Sequence, residues 1–382
     1  MLAASEATNV NAVYGQLITI IKRGGPEPSD MVEEQTTYSA GLIGCGRMGA
    51  TIDDEVEGSP TAQHPYSHAA GHVAADRVDL VAAADIDEEQ LEAAQDRYDI
   101  PNGYGDYREM IDEEDLDIVS VATRPAPHRD MVCYAAENGV PAIYCEKPLC
   151  RSMEEADAMK EAVQANDVHF NLGVNRRYMP MYRTIREMAN DGEIGDRRAI
   201  IAQVGPGSAL WGHSHAVDMI YFLNDDQDVD WVQGEAEFSE GDMEQERLTV
   251  DPTVRMGYIR FSDGVRGYLT QAGNYEFEVD GEDGKIRTLN KGLEAQIRRP
   301  EGESGLLGEE RLDDIEHRSG TLGCIEELVA ALDGEGPTSG SIEVAAKGQE
   351  IALGMLVSSR RGGERVELPL ENREFYVDPG SW

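Results

Sequence analysis

The sequence predicts an α/β protein with two sheets. The first is a doubly wound parallel sheet, followed by an α+β domain with a large, mostly antiparallel open sheet. Three observations carry this. Between residues 38 and 174, apolar runs too short for helices alternate with helical patterns. After about residue 175 the strand-like runs lengthen and alternate apolar with polar residues at period two. A glycine-rich bend, GLIGCGRMGA (41–50), sits where the first strand hands over to the first helix. The expected units are a tail over 1–36, a first domain over 37–174 and a second over 175–382.

Taken in order, the first strands are YSAGLIG (38–44), DLVAAAD (79–85), DIVSVAT (117–123), PAIYCEK (141–147) and VHFNLGV (168–174). Between them, EEQLEAAQDRY (88–98), PHRDMVCYAAENG (127–139) and SMEEADAMKEAVQAN (152–166) place apolar residues at helical spacing. Ser152 with Glu155 three residues on reads as a capping box. Strands alternating with helices read as a parallel sheet, because each helical crossover returns the chain to the end of the sheet where the last strand began. TIDDEVEGSPTAQ (51–63) reads as a polar insertion, with the helix resuming at PYSHAAGHVAAD (65–76).

Beyond 175, helices are expected at 179–190 and 213–223, around a strand RRAIIAQV (197–204). WVQGEAEFS, VRMGYIRFSDG, VRGYLTQAG, YEFEVDG and GKIRTLN then read as strands, with DG and GEDG marking hairpin turns. GTLGCIEELVAALDG (320–334) and IEVAAKGQEIALGMLVSSRR (342–361) return to helix.

The bend follows the G-x-G-x-x-G spacing. Gly44 allows the tight turn, Gly46 lets a pyrophosphate approach the backbone, and Gly49 lets helix and strand pack closely. Peptide N–H groups at the following helix start would face the phosphates. Such a dinucleotide site needs an acid at the end of the second strand for the ribose hydroxyls, and Asp85 fits. It lies 36 residues past Gly49, more than the usual ~20, and the 51–63 insertion accounts for the excess. The next residues, Ile86, Asp87, Glu88 and Glu89, would repel a 2′-phosphate, so NAD is expected over NADP.

Composition narrows the partners. The chain has 74 acidic and 33 basic residues, a formal net charge of −41. Such a surface repels nucleic-acid backbones and anionic lipid, so neither nucleic acid nor membrane is an expected partner. With 40% hydrophobic residues a core can form, and the acidity reads as halophilic adaptation. High salt shortens the reach of self-repulsion. Cys45, Cys133, Cys145, Cys150 and Cys324 form no CxxC pair, which suits a reducing cytoplasm. No stretch approaches the ~18 apolar residues of a membrane span. AVYGQLITII (12–21) lacks the flanks of a signal peptide. Met31 makes a natural start, and the segment before it is expected not to be native.

Cys145-Glu146-Lys147-Pro148-Leu149 closes the strand from 141. With VATRPAPH (121–128), NLGVNRRY (171–178), GEIGD (192–196) and HAVD (215–218), it resembles the glucose-fructose oxidoreductase / inositol 2-dehydrogenase (Gfo/Idh/MocA) family over about 40–370. The resemblance implies a Rossmann domain ending in E-K-P and a second domain that binds substrate and builds a homodimer or homotetramer through the sheet at about 231–298. It also implies hydride transfer between NAD and a secondary alcohol of a sugar, sugar acid or cyclitol. An NAD-dependent glycoside hydrolase of the same family and a non-catalytic NAD-binding regulator are the alternatives.

By the same resemblance Lys147 is the catalytic acid/base, and Pro148 permits a cis bond that would aim its amine. His215 occupies the histidine position, with Asp218 three residues on. The family's first aspartate falls on Trp211, so either His213 takes its place or Lys147 and His215 act alone. The expected cofactor residues are Gly44, Cys45, Gly46, Arg47, Met48, Gly49, Asp85, Ile86, Thr123, Arg124, His128, Glu146 and Arg176. No metal is expected, since His213-x-His215 lacks a third ligand nearby. His64, His68 and His72 read either as partly exposed helix positions or as a pH-sensitive or ligand-facing stripe, with His68 near the cofactor side. Arg176 and Arg177 read as partners of internal carboxylates, one of them touching ligand.

Overall fold

The computed structural model describes residues 36–302 and 305–380; the expected N-terminal tail therefore lies outside the described residues. The first sheet contains β1 (Tyr38–Ile43), β2 (Val78–Ala84), β3 (Asn102–Tyr104), β4 (Ile118–Val121), β5 (Ala142–Cys145) and β6 (His169–Leu172). Their spatial order is 3-2-1-4-5-6, with every neighbouring pair parallel. β4 and β5 are buried at every position, as strands covered on both faces must be. The order reverses between β1 and β4, and a crevice opens there at the carboxyl ends of the strands.

The helices include α1 (Ile52–Val56), α2 (His68–Ala74), α3 (Glu88–Tyr98), α4 (Tyr107–Glu113), α5 (His128–Glu137) and α6 (Met153–Ala165). α3 has the bounds read from the sequence. Asp87 caps its start through the Glu89 and Gln90 N–H groups, and Asp99, at φ 54°, ends it. At α6 only half of the expected capping box forms. Ser152 accepts from the Glu155 N–H, but the Glu155 carboxylate accepts from the Arg151 N–H at 2.8 Å.

The polar insertion also needs correction. The bend runs through a wide turn, Arg47–Thr51, straight into α1. The helix then breaks, with Gly58 at φ 73°, and resumes only at α2, which Ser67 caps. β3 and α4 were not foreseen, being too short to show a period.

The second half opens with α7 (Pro180–Asn190), β7 (Arg197–Gln203), α8 (Ser214–Phe222) and β8 (Val229–Ala236). β9 (Met243–Glu244) and β10 (Arg247–Leu248) follow, then β11 (Val254–Phe261), β12 (Arg266–Thr270), β13 (Glu276–Gly281) and β14 (Lys285–Leu289). β15 (Glu294–Pro300) and β16 (Leu307–Arg311) extend the expected sheet. The chain ends with α9 (Gly320–Leu332), α10 (Ile342–Arg360), β17 (Val366–Glu367) and β18 (Tyr376–Val377).

Nine strands form the large sheet, in the order 16-15-14-13-7-12-11-8-17. All pairs are antiparallel except β7 with β12. β9, β10 and β18 make a separate small sheet. α8 and α10 pack against the large sheet, and α10 is buried from Gln349 to Ser358. α9 returns to the first sheet, packing against α2, β5 and β6. Among the described residues, no helix is long and apolar enough to cross a membrane.

Candidate active site

The bend after β1 fits the dinucleotide reading at each glycine. Gly44 has φ 94°, which favours glycine. A Cβ on Gly49 would lie 1.9 Å from the Gly44 carbonyl oxygen, so only hydrogen allows this packing. A Cβ on Gly46 would meet only Gln90 Oε1, at 3.1 Å. Gly46 is therefore not required by the protein's own packing; it leaves space beside the backbone. The Arg47 guanidinium is paired with Glu55 at 2.8 Å, and Met48 lines the cleft. The Cys45 side chain is buried, and burial pushes its thiol up to about 12.

Asp85 stands at the end of β2 and faces the bend. Its carboxylate accepts from the Cys45 N–H at 2.7 Å and from the Asp87 N–H at 2.9 Å. A cavity of about 450 Å³ opens beside it, walled by Ile86, Pro127 and Met131. Ile86 is 96% exposed, an apolar side chain left at the rim of that cavity. Arg108, from α4, also lines it, a cation that residues adjacent to Asp85 gave no sign of. Arg108 is turned over the Tyr107 ring at 4.5 Å and lies 3.7 Å from Asp106.

A second cleft of about 440 Å³ runs from the bend past Thr123 to Glu146, Lys147 and Trp211. His128 does not open onto it. Its ring is fully buried and tied to the Leu149 and Thr123 carbonyls, so it braces the Thr123 loop.

Lys147 follows β5, and its bond to Pro148 is cis. Its Nζ lies 3.4 Å from the Trp211 carbonyl oxygen and 4.2 Å from the Trp211 ring centroid. Burial lowers the lysine pKa, and the Glu146 carboxylate opposes that. Glu146 accepts from the Lys147 N–H at 3.1 Å and meets His68 Nε2 at 3.2 Å. Burial would raise the Glu146 pKa, but the His68 bond and the Lys147 charge hold it below the ordinary value.

The reading of His64, His68 and His72 as partly exposed is therefore overturned for two of the three. His68 and His72 are fully buried. His68 stacks on Tyr144 at 4.0 Å, and His72 Nε2 bonds Ser120 Oγ at 2.7 Å. His64 remains exposed, against Asp53. Their partners are 48 and 78 residues away, which is why periodicity alone missed the burial.

His215, in the first turn of α8, is held well below the ordinary histidine range. Burial is the main cause, then the charges of Arg176 and Lys147. The charges of Lys147 and Arg176 thus both bear on His215. His213 is not part of that group. It packs against Gly207, both ring nitrogens lack a partner, and burial lowers it to about 4.

Asp218 is committed elsewhere: Arg177, fully buried, holds it at 2.6 Å and Asp226 at 2.9 Å. The two arginines therefore part company. Arg177 pairs with carboxylates, whereas Arg176 lies over the Tyr275 ring at 4.3 Å.

Residues 38–174 match the model of an oxidoreductase family with an NAD-binding Rossmann fold, GFO_IDH_MocA. Over these residues the chain is similar to the Gfo/Idh/MocA family. D-apiose dehydrogenase of Paraburkholderia graminis is 36% identical over 189 residues, covering 50% of this chain and 42% of that protein. Inositol 2-dehydrogenase of Salmonella typhimurium is 30% identical over 161 residues, 42% of this chain and 43% of that one. The matches thus span less than half the length of these curated relatives.

Levoglucosan dehydrogenase, solved with NADH and levoglucosan, superimposes with a TM-score of 0.71 at 20% identity, over 87% of this chain and 100% of that one. An Agrobacterium radiobacter oxidoreductase, solved with NAD+, L-tartaric acid and magnesium, gives 0.68 at 18%, over 87% and 98%. At such identities these two share the fold.

Some residues of this site carried no local signal. Asp251 accepts from the Leu210 and Trp211 N–H groups at 3.0 and 2.8 Å, which holds the backbone whose carbonyl meets Lys147. Arg124, an expected cofactor residue, lies 5.2 Å from the Trp211 ring. Tyr275 has φ 58°, a strained conformation for a bulky residue. Its hydroxyl donates to the Gly212 carbonyl at 2.8 Å. The only hint in the sequence was the Gly273-Asn274 turn just before it.

Proposed function

We propose that this chain is an NAD-dependent oxidoreductase acting on a secondary alcohol of a sugar, sugar acid or cyclitol. One observation carries the reading. The buried Lys147 amine stands in the same cleft as the open Gly46 backbone and the Asp85 carboxylate. Gly44 to Gly49 and Asp85 would hold the pyrophosphate and a ribose, with adenine in the apolar cavity beside Ile86. When bound, the nicotinamide supplies a hydride acceptor. Lys147 then takes the hydroxyl proton as the substrate C–H bond breaks.

Burial suits Lys147 to that task by making its neutral form accessible. His215, kept neutral by its surroundings, would orient the hydroxyl toward the lysine. We assign nucleotide binding to 37–174, and substrate binding and oligomerisation to 175–382. The large sheet supports oligomerisation: Trp231, Tyr258 and Tyr268 form a half-buried aromatic ladder with centroids 5.0 and 5.3 Å apart. The net charge of −41 supports a salt-rich cytoplasmic setting.

Trp211 favours a second reading, a regulator that binds NAD without turnover, because its indole covers the lysine. NADH formation at 340 nm on a panel of sugars, sugar acids and inositols separates the two. Lys147→Ala should lower kcat by about 10²–10⁴. NAD binding with no turnover on any of the panel would favour the regulator.

A further inference from the structure

We propose that the substrate of this site carries a carboxylate and that Arg176 receives it, an inference that rests on the oxidoreductase reading. Arg176 follows β6 in the short turn Asn175–Tyr178, next to Arg177. The neighbour is saturated by Asp218 and Asp226. Arg176 instead points into an aromatic box, its guanidinium over Tyr275 and beside the hydroxyls of Tyr182 and Tyr66.

Among the described residues no ion pair is recorded for Arg176. That is conspicuous in a chain with 74 acids for 33 bases. Several half-buried arginines have found an acid, Arg151 with Glu155, Arg186 and Arg197 with Asp225, Arg287 with Glu276, whereas Arg260 bonds a backbone carbonyl instead. A guanidinium withheld from internal carboxylates and ringed by tyrosines presents its planar fork to a two-oxygen anion.

Position identifies which anion. The bend and Asp85 lie along the cleft that ends at Lys147 and Trp211, and Arg176 is not among the residues that wall it. Its anion is therefore not the cofactor pyrophosphate. The Trp211-Gly212 backbone connects the two sides: Lys147 Nζ reaches the carbonyl of Trp211, and Tyr275 that of Gly212. His215 stands where the charges of both Lys147 and Arg176 are felt. A small polyhydroxy acid can thus place its alcohol at Lys147 and its carboxylate at Arg176. The φ of 58° at Tyr275 fits a built receptor, since such strain persists only where the surroundings impose it.

The test compares four- to six-carbon aldonates and uronates with the matching neutral sugars and alditols, using wild type, Arg176→Gln and Arg176→Lys. Turnover is followed at 340 nm, and binding of each acid to the NAD-loaded protein by calorimetry. Wild type should prefer the acids, and Arg176→Gln should raise KM for them about 100-fold with kcat within a few-fold, the loss of two charge-assisted hydrogen bonds. Arg176→Lys should recover part of that loss. Equal use of acids and neutral sugars by wild type would overturn the proposal, as would equal loss of both in Arg176→Gln. Acids that bind through Arg176 without forming NADH would keep this receptor and overturn the oxidoreductase reading. NADH from neutral alditols alone, with no acid bound, would do the reverse.

Discussion

His68 and Glu146 meet at 3.2 Å in a buried pair directly behind the Lys147 backbone. An ionised carboxylate can only accept, so His68 carries its proton on Nε2. The pair keeps a negative charge beside a lysine whose pKa burial lowers. Glu146→Gln removes that charge and lowers the Lys147 pKa further. The acid limb of kcat/KM for alcohol oxidation should therefore move to lower pH. A limb that stays in place would detach Glu146 from the lysine.

Gly46 and Gly49 should respond differently to the same substitution. Gly46→Ala meets only a flexible glutamine tip, so it should fold with an unchanged melting temperature. It should nonetheless weaken NAD binding by about tenfold or more, because the methyl occupies the space for the pyrophosphate. Gly49→Ala drives a methyl into backbone and should cost both stability and binding. Calorimetry on the two variants, beside thermal melts, checks the contrast.

Asp85→Asn keeps an acceptor for the Cys45 N–H while removing the charge at the ribose site. The ratio of kcat/KM for NADP to that for NAD should rise by about tenfold, equivalent to about 1.4 kcal/mol. An unaltered ratio would place cofactor selection elsewhere, with Arg108 the next residue to vary.

His72 is neutral in the folded protein, its pKa pushed down to about 3 by burial and then by His68. Unfolded, it titrates near 6.5. The folded value is the lower one, so its contribution is intact above about 6.5 and is lost as pH falls toward 3. The cost approaches about 1.4 kcal/mol per pH unit within that window. Denaturant unfolding of His72→Asn should show a shallower loss of stability from pH 6.5 to 4.5 than wild type. Parallel curves would exclude the histidine as a source of acid lability.

Salt should stabilise the protein. Raising KCl from 0.1 to 1 M shortens the screening length from ~10 to ~3 Å, and the unfolding midpoint should rise with it. A midpoint that falls would remove the salt-adapted reading of the acidic surface.

Much of this was legible before any coordinates. The buried strands announced themselves as apolar runs, and α3 as the helical pattern of 88–98. The bend and E-K-P located two ends of one cleft. What stayed hidden depends on long-range pairing. His68 looked exposed because Glu146, which buries it, is 78 residues away. Arg176 and Arg177 looked equivalent because only tertiary structure sends one to aspartates and the other to tyrosines. β15 and β16 lack the clear apolar alternation that marked the earlier strands; β16 is mostly exposed.

The placement of α9 has a consequence for dissection. This late helix lays Ile325 and Thr321 against Gly71 of α2, and Asn171 of β6 donates to the Cys324 carbonyl. A fragment ended at residue 174 would bare that flank of the parallel layer and leave Asn171 without its buried acceptor. Grafting the nucleotide portion onto another scaffold would therefore require carrying Gly320–Leu332 along with it.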